Sequence, residues 1–163
     1  MTENGLFVSS FLEVEKGWID YNNHLNMGYY TVVFDRASDE LWDWIGFGER
    51  YVAETNHTTF AAEFHVRYLR EVKLGDRLYS RIRIIDHDEK RFHTFQELYH
   101  EDGWLSATGE GLTLHVDLGG PKVAPMPENI QSRIRAMAEA NAKLPPPEGL
   151  GRSVGLRRKV ASG

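Results

Sequence analysis

Between Trp18 and Tyr30 the chain reads WIDYNNHLNMGYY, which places Asp20, Asn22, Asn23, His24 and Asn26 within seven residues. A carboxylate there can attack an electrophilic carbon or draw a proton from water, and an imidazole can relay that proton. The carboxamides can hold a water or fix the loop. A plainer use also exists, because Asp and Asn are favoured helix N-caps and an apolar helix pattern follows at once. A cap takes one such residue. The surplus fits a polar pocket, with a tightly hydrogen-bonded turn as the rival account. Asp20 lies close to the helix start, where free N–H groups and the dipole favour a negative charge.

The elements that must hold this loop follow from apolar periodicity. From Met27 to Ile45, Tyr30, Val33, Phe34, Ala37, Leu41, Trp44 and Ile45 recur at three- and four-residue intervals. That spacing predicts one amphipathic helix, with Asp35, Arg36, Asp39, Glu40 and Asp43 on its remaining surface. Gly46 and Gly48 supply the stop. Strand formers in LFVSSFLEVE (6–15) predict a first strand. FAAEFHVRYLR (60–70) alternates, with Phe60, Ala62, Phe64, Val66 and Tyr68 on one side and Glu63, His65 and Arg67 on the other. Further strands are predicted over 78–86, 91–100 and 104–118, joined by the turn sequences HDEK and EDG. In the last of them the apolar register slips from Leu105 and Ala107 to Leu112, Leu114, Val116 and Leu118. Gly109 and Gly111 at the slip predict a bulge or bend. A short helix over about 127–142, with Ile130, Ile134, Met137 and Ala138 as its stripe, precedes a Pro- and Gly-rich tail. Short turns make neighbouring strands antiparallel, and the long helix must bury its stripe on one face of their sheet. The expected fold is therefore α+β, an antiparallel sheet of about five strands wrapped around one long helix.

Composition excludes several classes of function. The 163 residues suit one domain, and 41% hydrophobic with 12% aromatic content is that of a folded chain. A net charge of −5, with GLRRK the only dense basic run, argues against a nucleic-acid partner. No apolar run is long enough to span a bilayer, and MTENGLFVSS has no signal-peptide character, so a cytoplasmic protein is expected. There is no cysteine to serve as nucleophile or ligand. G-x-S-x-G, P-loop and G-x-G-x-x-G patterns are missing. None of the seven histidines pair at H-x-H or H-E-x-x-H spacing, and His65 and His93 fall on separate strands; no metal and no cofactor are expected.

The pattern Asp20-x-x-x-His24-x-Asn26-x-x-x-Tyr30, running straight into an amphipathic helix, resembles the signature of the hotdog-fold acyl-CoA thioesterases of the 4-hydroxybenzoyl-CoA thioesterase type. HVRYLREVKLGDRLYSRIRI is similar to that family's strand–turn–strand with its recurrent GD, and the resemblance covers about residues 6–118. WIDYNNHLNMGYY, HVRYLREVKLGD, LHVDL and GRSVGLRRK look closest to the subgroup associated with carnitine breakdown, which acts on betainyl-CoA. The resemblance implies a hotdog domain over 1–126, followed by a helix and irregular tail over 127–163. It implies a CoA thioester substrate and a homodimer or homotetramer with sites at the subunit interface.

By the same resemblance Asp20 is the catalytic carboxylate, either as nucleophile or as general base on a water. Amides near Asn26–Gly28 polarise the thioester carbonyl. Many relatives carry glycine where this chain has Asn23, a departure that bears on the loop's backbone. His24 and Asn26 set the loop or the water, with His24 as an independent base the alternative. Trp18, Tyr21, Gly28, Tyr30, Thr59 and Glu63 are the expected substrate-binding residues. Thr58 and Thr59 equally fit ordinary strand-edge hydroxyls, and Glu63 equally fits a surface or inter-subunit ion pair. A trimethylammonium acyl group has no hydrogen-bond donors, so two or three of Trp18, Tyr21, Tyr29, Tyr30, Trp42 and Trp44, with an acid, are expected to cage it. Arg70, Lys73 and Arg91 are the candidates for the CoA phosphates. The competing readings are a hotdog hydratase or dehydratase and a non-catalytic acyl-CoA-binding module.

Overall fold

A computed structural model of the chain describes residues 2–3 and 5–156; the end of the GRSVGLRRK segment lies outside the described residues. The expected long helix, α1, runs Met27–Ile45. Asn26 caps its start and Gly46, at φ 111°, closes its end by donating to the Trp42 carbonyl. Tyr30, Val33, Phe34, Ala37, Leu41 and Ile45 are buried, as their spacing dictates. Trp44 departs from the expected stripe. It is 46% exposed, and Ser38 takes a buried place instead.

The strands are β1 (Thr2–Glu3), β2 (Leu6–Val8), β3 (Leu12–Glu13), β4 (His57–Tyr68), β5 (Arg77–His87), β6 (Arg91–His100), β7 (Leu105–Asp117) and β8 (Lys122–Val123). They form one sheet in the order β1-β2-β5-β6-β7-β4, with β3 beside β5 and β8 beside β7, and every pairing is antiparallel. The first strand expected over 6–15 is broken into β2 and β3. Two further helices are α2 (Glu49–Thr55), which the sequence pattern did not reveal, and α3 (Glu128–Asn141). Among the described residues no helix is long and apolar enough to cross a membrane.

The helix and sheet enclose two adjoining apolar clusters. The C-terminal half of α1 packs Ala37, Leu41 and Ile45 against Ile82, Ile84 and Phe92 of the sheet and Ile130, Ile134 and Met137 of α3. The N-terminal half packs Tyr30, Val33 and Phe34 with Val72, Leu78, Leu98 and Ala107, and with Trp18 and Leu25 from either side of the polar loop. Burying a side chain of that size stabilises by about 1.5–3 kcal/mol. The loop carrying Asp20 is thus pinned to the core at both ends.

β7 keeps its register at Gly109 and Gly111 and shifts earlier instead, where Leu98 of β6 pairs with Ala107 and Tyr99 with Leu105. Ala107, Gly109, Gly111, Thr113 and His115 all face inward and are buried, while Leu112 and Leu114 lie half-buried on the outer face. A further bulge sits on the neighbouring strand, between Ala61 and Glu63 of β4. The two glycines have a packing role. A Cβ on Gly109 would stand 2.6 Å from the Phe64 ring and 3.3 Å from Phe34, and one on Gly111 would stand 2.9 Å from Phe64. Bare backbone here lets Phe64 lie over the sheet in edge contact with Phe34.

Residues 142–156 form turns without helix or strand and cross the outer face of the chain's own sheet. The Pro145 carbonyl accepts from Arg83, the Glu148 carbonyl accepts from Arg67, and the Gly151 N–H donates to Glu110. Beneath this strap Phe95 is buried and His93 Nε2 lies 2.9 Å from Glu110.

His115 is fully buried and joins three elements. Its Nδ1 bonds the Ala124 carbonyl at 2.8 Å and its Nε2 lies 2.8 Å from the Tyr51 hydroxyl of α2. A carbonyl only accepts, so Nδ1 carries the proton and Nε2 accepts from Tyr51. Burial pushes this imidazole below its usual range, nearby His57 adds to that, and the Ala124 bond opposes it. The unfolded chain therefore takes up the proton first. Stability from this group is complete above the unfolded value of about 6.5 and falls as pH drops below it, by at most about 1.4 kcal/mol per pH unit. Urea midpoints measured from pH 8 to pH 5 are expected to fall more steeply for the native chain than for His115→Gln.

Candidate active site

The Asp20 carboxylate is held by its own loop. Its Oδ1 accepts from the Asn22 N–H at 2.8 Å and from the His24 N–H at 3.3 Å, and its Oδ2 faces the Asn22 carboxamide at 3.4 Å. The backbone closes on itself, with Asp20 N–H donating to the His24 carbonyl and Asn23 N–H to the Asp20 carbonyl. Partial burial works against the charge, but the Asn22 and His24 amides, the Asn22 side chain and the nearby His24 ring outweigh it. The carboxyl is held below the ordinary aspartate value and is ionised at neutral pH.

Asn23 sits at φ 63°, in the left-handed region that glycine adopts freely and asparagine tolerates. The departure noted at this position therefore needs no different backbone. Asn26 accepts from the Gly28 N–H at 3.0 Å, and its own N–H donates to the Trp18 carbonyl. With Gly28 engaged and Tyr29 N–H bonded to the Asn26 carbonyl, Met27 is left as the helix-start amide with no partner among the described residues. The His24 side chain makes no hydrogen bond among the described residues and is half-buried beside Asp20.

The loop aromatics do not gather into a cage within one chain. Trp18 is buried, stacked on Tyr29 with centroids 5.7 Å apart and covered by the Arg36 guanidinium at 4.9 Å. Tyr30 is buried edge-on to Tyr68, and burial raises its phenol above the usual value. Tyr21 is 94% exposed. Of the phosphate candidates, Arg70 lies over Trp104, and Lys73 shares its loop with Val72, whose carbonyl accepts from Leu25 of the Asp20 loop. Arg91 is committed to Asp88 at the other end of the sheet.

Thr58, Thr59 and Glu63 stand apart from Asp20. Tyr68, at the end of β4, donates to the Met27 carbonyl and so marks the Asp20 end of the strand. Thr59 is nine residues away along β4, roughly 30 Å at strand rise. There it lines a cleft of about 860 Å³ between α1 and β4, together with Thr58, Glu63 and Phe64. The helix wall of this cleft carries Asp35, Asp39 and Asp43, which read in the sequence only as a solvated face. Their four-residue spacing with no Lys or Arg four positions on was the signal available. Among the described residues no group of His, Asp and Glu side chains could hold a metal ion.

The chain is 41% identical over 140 residues to a betainyl-CoA thioesterase of Pseudomonas aeruginosa, covering 85% of this chain and 88% of that protein. It is 38% identical over 147 residues to an L-carnitine dehydrogenase/betainyl-CoA thioesterase of Rhizobium meliloti, covering 90% of this chain and 29% of that longer protein. A hypothetical protein from Staphylococcus aureus, solved in complex with CoA, superimposes with a TM-score of 0.86 at 28% identity over 93% of this chain and 96% of that one. The profile of the Thioesterase-like superfamily matches residues 14–134. A sheet packed around one helix, an ionised carboxylate at the mouth of that helix and this match together place the chain in the Thioesterase-like superfamily.

Proposed function

We propose that the protein hydrolyses a small acyl-CoA thioester, betainyl-CoA, to betaine and CoA. The observation that carries this reading is the Asp20 carboxylate, held ionised within a loop that leads into α1, whose Met27 amide has no partner among the described residues. A thioester carbonyl lodged there has an oxygen to attack it, or to take a proton from an attacking water, and a donor for the oxyanion that forms. Collapse of the tetrahedral adduct breaks the C–S bond. The CoA thiolate leaves and takes up a proton. Along the nucleophilic route water then hydrolyses the acyl–Asp20 anhydride; along the general-base route water is itself the attacking group. The acyl identity rests on the Pseudomonas relative, which matches across most of both chains. The Staphylococcus relative's complex supports a CoA ester, and Arg70 and Lys73 remain the candidates for its phosphates. Such a substrate carries a cytoplasmic setting with it.

The working unit in this reading is a homodimer. Among the described residues β4 pairs only with β7, which leaves its outer edge open, and Phe60, Ala61, Ala62, Phe64 and Tyr68 are exposed along it. A long unpaired apolar edge is a template for strand pairing. Antiparallel pairing of two β4 strands about their midpoint sets Thr58 and Thr59 of one chain beside the partner's Tyr68, and hence beside the partner's Asp20 loop. Thiol release from a panel of acyl-CoA esters tests the activity. Betainyl-CoA is expected to be among the best substrates, and no thiol release from any ester would overturn the reading.

A further inference from the structure

Asp35, Asp39 and Asp43 recur at every fourth residue of α1 and line one wall of the 860 Å³ cleft. Like charges at that spacing repel one another along a helix. None of the three makes an ion pair among the described residues, and the cleft's Arg50 is bonded to Glu54 at 2.7 Å. Glu63 adds a further carboxylate from β4. Partial desolvation in the cleft raises the Asp39 carboxyl above its usual value, and the charges of Asp35 and Asp43 add to the shift. Gly48 makes room for this wall, because a Cβ there would collide with the Asp43 carboxylate.

The remaining surfaces narrow the kind of occupant. Phe34, Trp42, Phe47 and Phe64 line the same cleft as aromatic surfaces. On its floor Thr113 is 7% exposed, and its hydroxyl has no hydrogen-bond partner among the described residues. This is the independent mark of a missing occupant, since the neighbouring buried Ser38 and Gln96 satisfy each other at 2.8 Å. A wall of unneutralised carboxylates with aromatic faces suits a cation, and one without N–H donors is held by field, ring faces and polarised C–H groups.

We infer that Asp39 and Asp43, with the ring of Trp42, form the subsite that selects a quaternary ammonium on the acyl group. This rests on the proposed dimeric betainyl-CoA hydrolase. Thr58 and Thr59 line the cleft at its α2 end, so pairing of β4 strands brings the partner's Asp20 to that end. Asp43 and Asp39 then follow one helical turn apart, about 6 Å by the rise of the helix. A betainyl group is shorter than that turn, so its ammonium meets Asp43 first and Asp39 lies beyond it. Of the aromatics expected from the sequence to cage the cation, this assignment keeps Trp42 and sets helix carboxylates in place of the loop members.

The test compares kcat/KM for betainyl-CoA and for its uncharged isostere 3,3-dimethylbutanoyl-CoA in the native protein and in Asp39→Asn/Asp43→Asn. The double variant is expected to lose about tenfold or more on the cationic ester and to keep its rate on the neutral one. Its Tm is expected to hold or rise, because repulsion along α1 is relieved. Equal losses on both esters, or a native enzyme that does not distinguish them, would overturn the subsite. Tetramethylammonium binding, followed by NMR of both proteins, separates this outcome from failure of the proposed reaction. A native protein that hydrolyses neither ester but binds the cation, with binding lost in the double variant, retains the subsite and rejects the reaction. No binding to the native protein rejects the subsite.

Discussion

Asp20→Asn is expected to lower kcat for thioester hydrolysis by about 10²- to 10⁴-fold while leaving KM and Tm close to their native values. The substitution keeps the shape of the side chain and an oxygen to accept from the Asn22 and His24 amides, so the turn those bonds close should persist. What it removes is the negative charge, and with it both the nucleophile and the base. Helix-start stabilisation of the oxyanion survives, which is why residual activity rather than none is expected. The native enzyme should also work further into acid than an ordinary aspartate permits. Folding lowers the Asp20 pKa, so the carboxylate stays ionised until the pH falls below the usual range, and the acid limb of kcat/KM should lie there. An Asp20→Asn protein with near-native kcat would remove this residue from the mechanism.

The sequence carried the position of Asp20 well because local rules fix it. Asn26 caps the helix, Gly46 ends it, and the apolar stripe between them admits one helical register. Even the asparagine at position 23 reads correctly once its left-handed backbone is known. Legibility failed where partners lie far away in sequence. Leu112 and Leu114 look like core residues by type, yet the glycines that alternate with them face inward, because Phe64 from another strand needs the space over Gly109 and Gly111. Phe60, Phe64 and Tyr68 alternate as a buried face should, but their strand is the open edge of the sheet and all three are at least 36% exposed. The loop aromatics are ambiguous in another way. A tryptophan or tyrosine beside a catalytic loop is as useful for anchoring it as for touching substrate, and Trp18 and Tyr30 are spent on anchoring. Conversely, three aspartates on a helix surface read as ordinary solvation until the cleft beside them is seen.

Ala62→Glu is expected to turn the protein into a folded monomer and to reduce kcat/KM by about 10²-fold or more. Ala62 is exposed beside the β4 bulge, so a carboxylate there meets water in a single chain and disturbs little of its core. In a pair joined through β4 the same carboxylate faces its own copy and the partner's Glu63 across a dry interface, where like charges are costly. Light scattering reads the mass and thiol release reads the rate. A monomer with undiminished activity would show that one chain holds a complete site. Complementation then tests how the halves combine. Asp20→Asn and the double variant Thr58→Ala/Thr59→Ala are each expected to be impaired alone. When the two chains are unfolded together and refolded in equal amounts, half the dimers should be mixed. One of the two sites in each mixed dimer joins a native Asp20 to native threonines, so about a quarter of native activity should return. Sites built within single chains return nothing on mixing. The distance along β4 demands this outcome if both ends act on one thioester, because no bend in a twelve-residue strand brings Thr59 back to the Asp20 loop of its own chain.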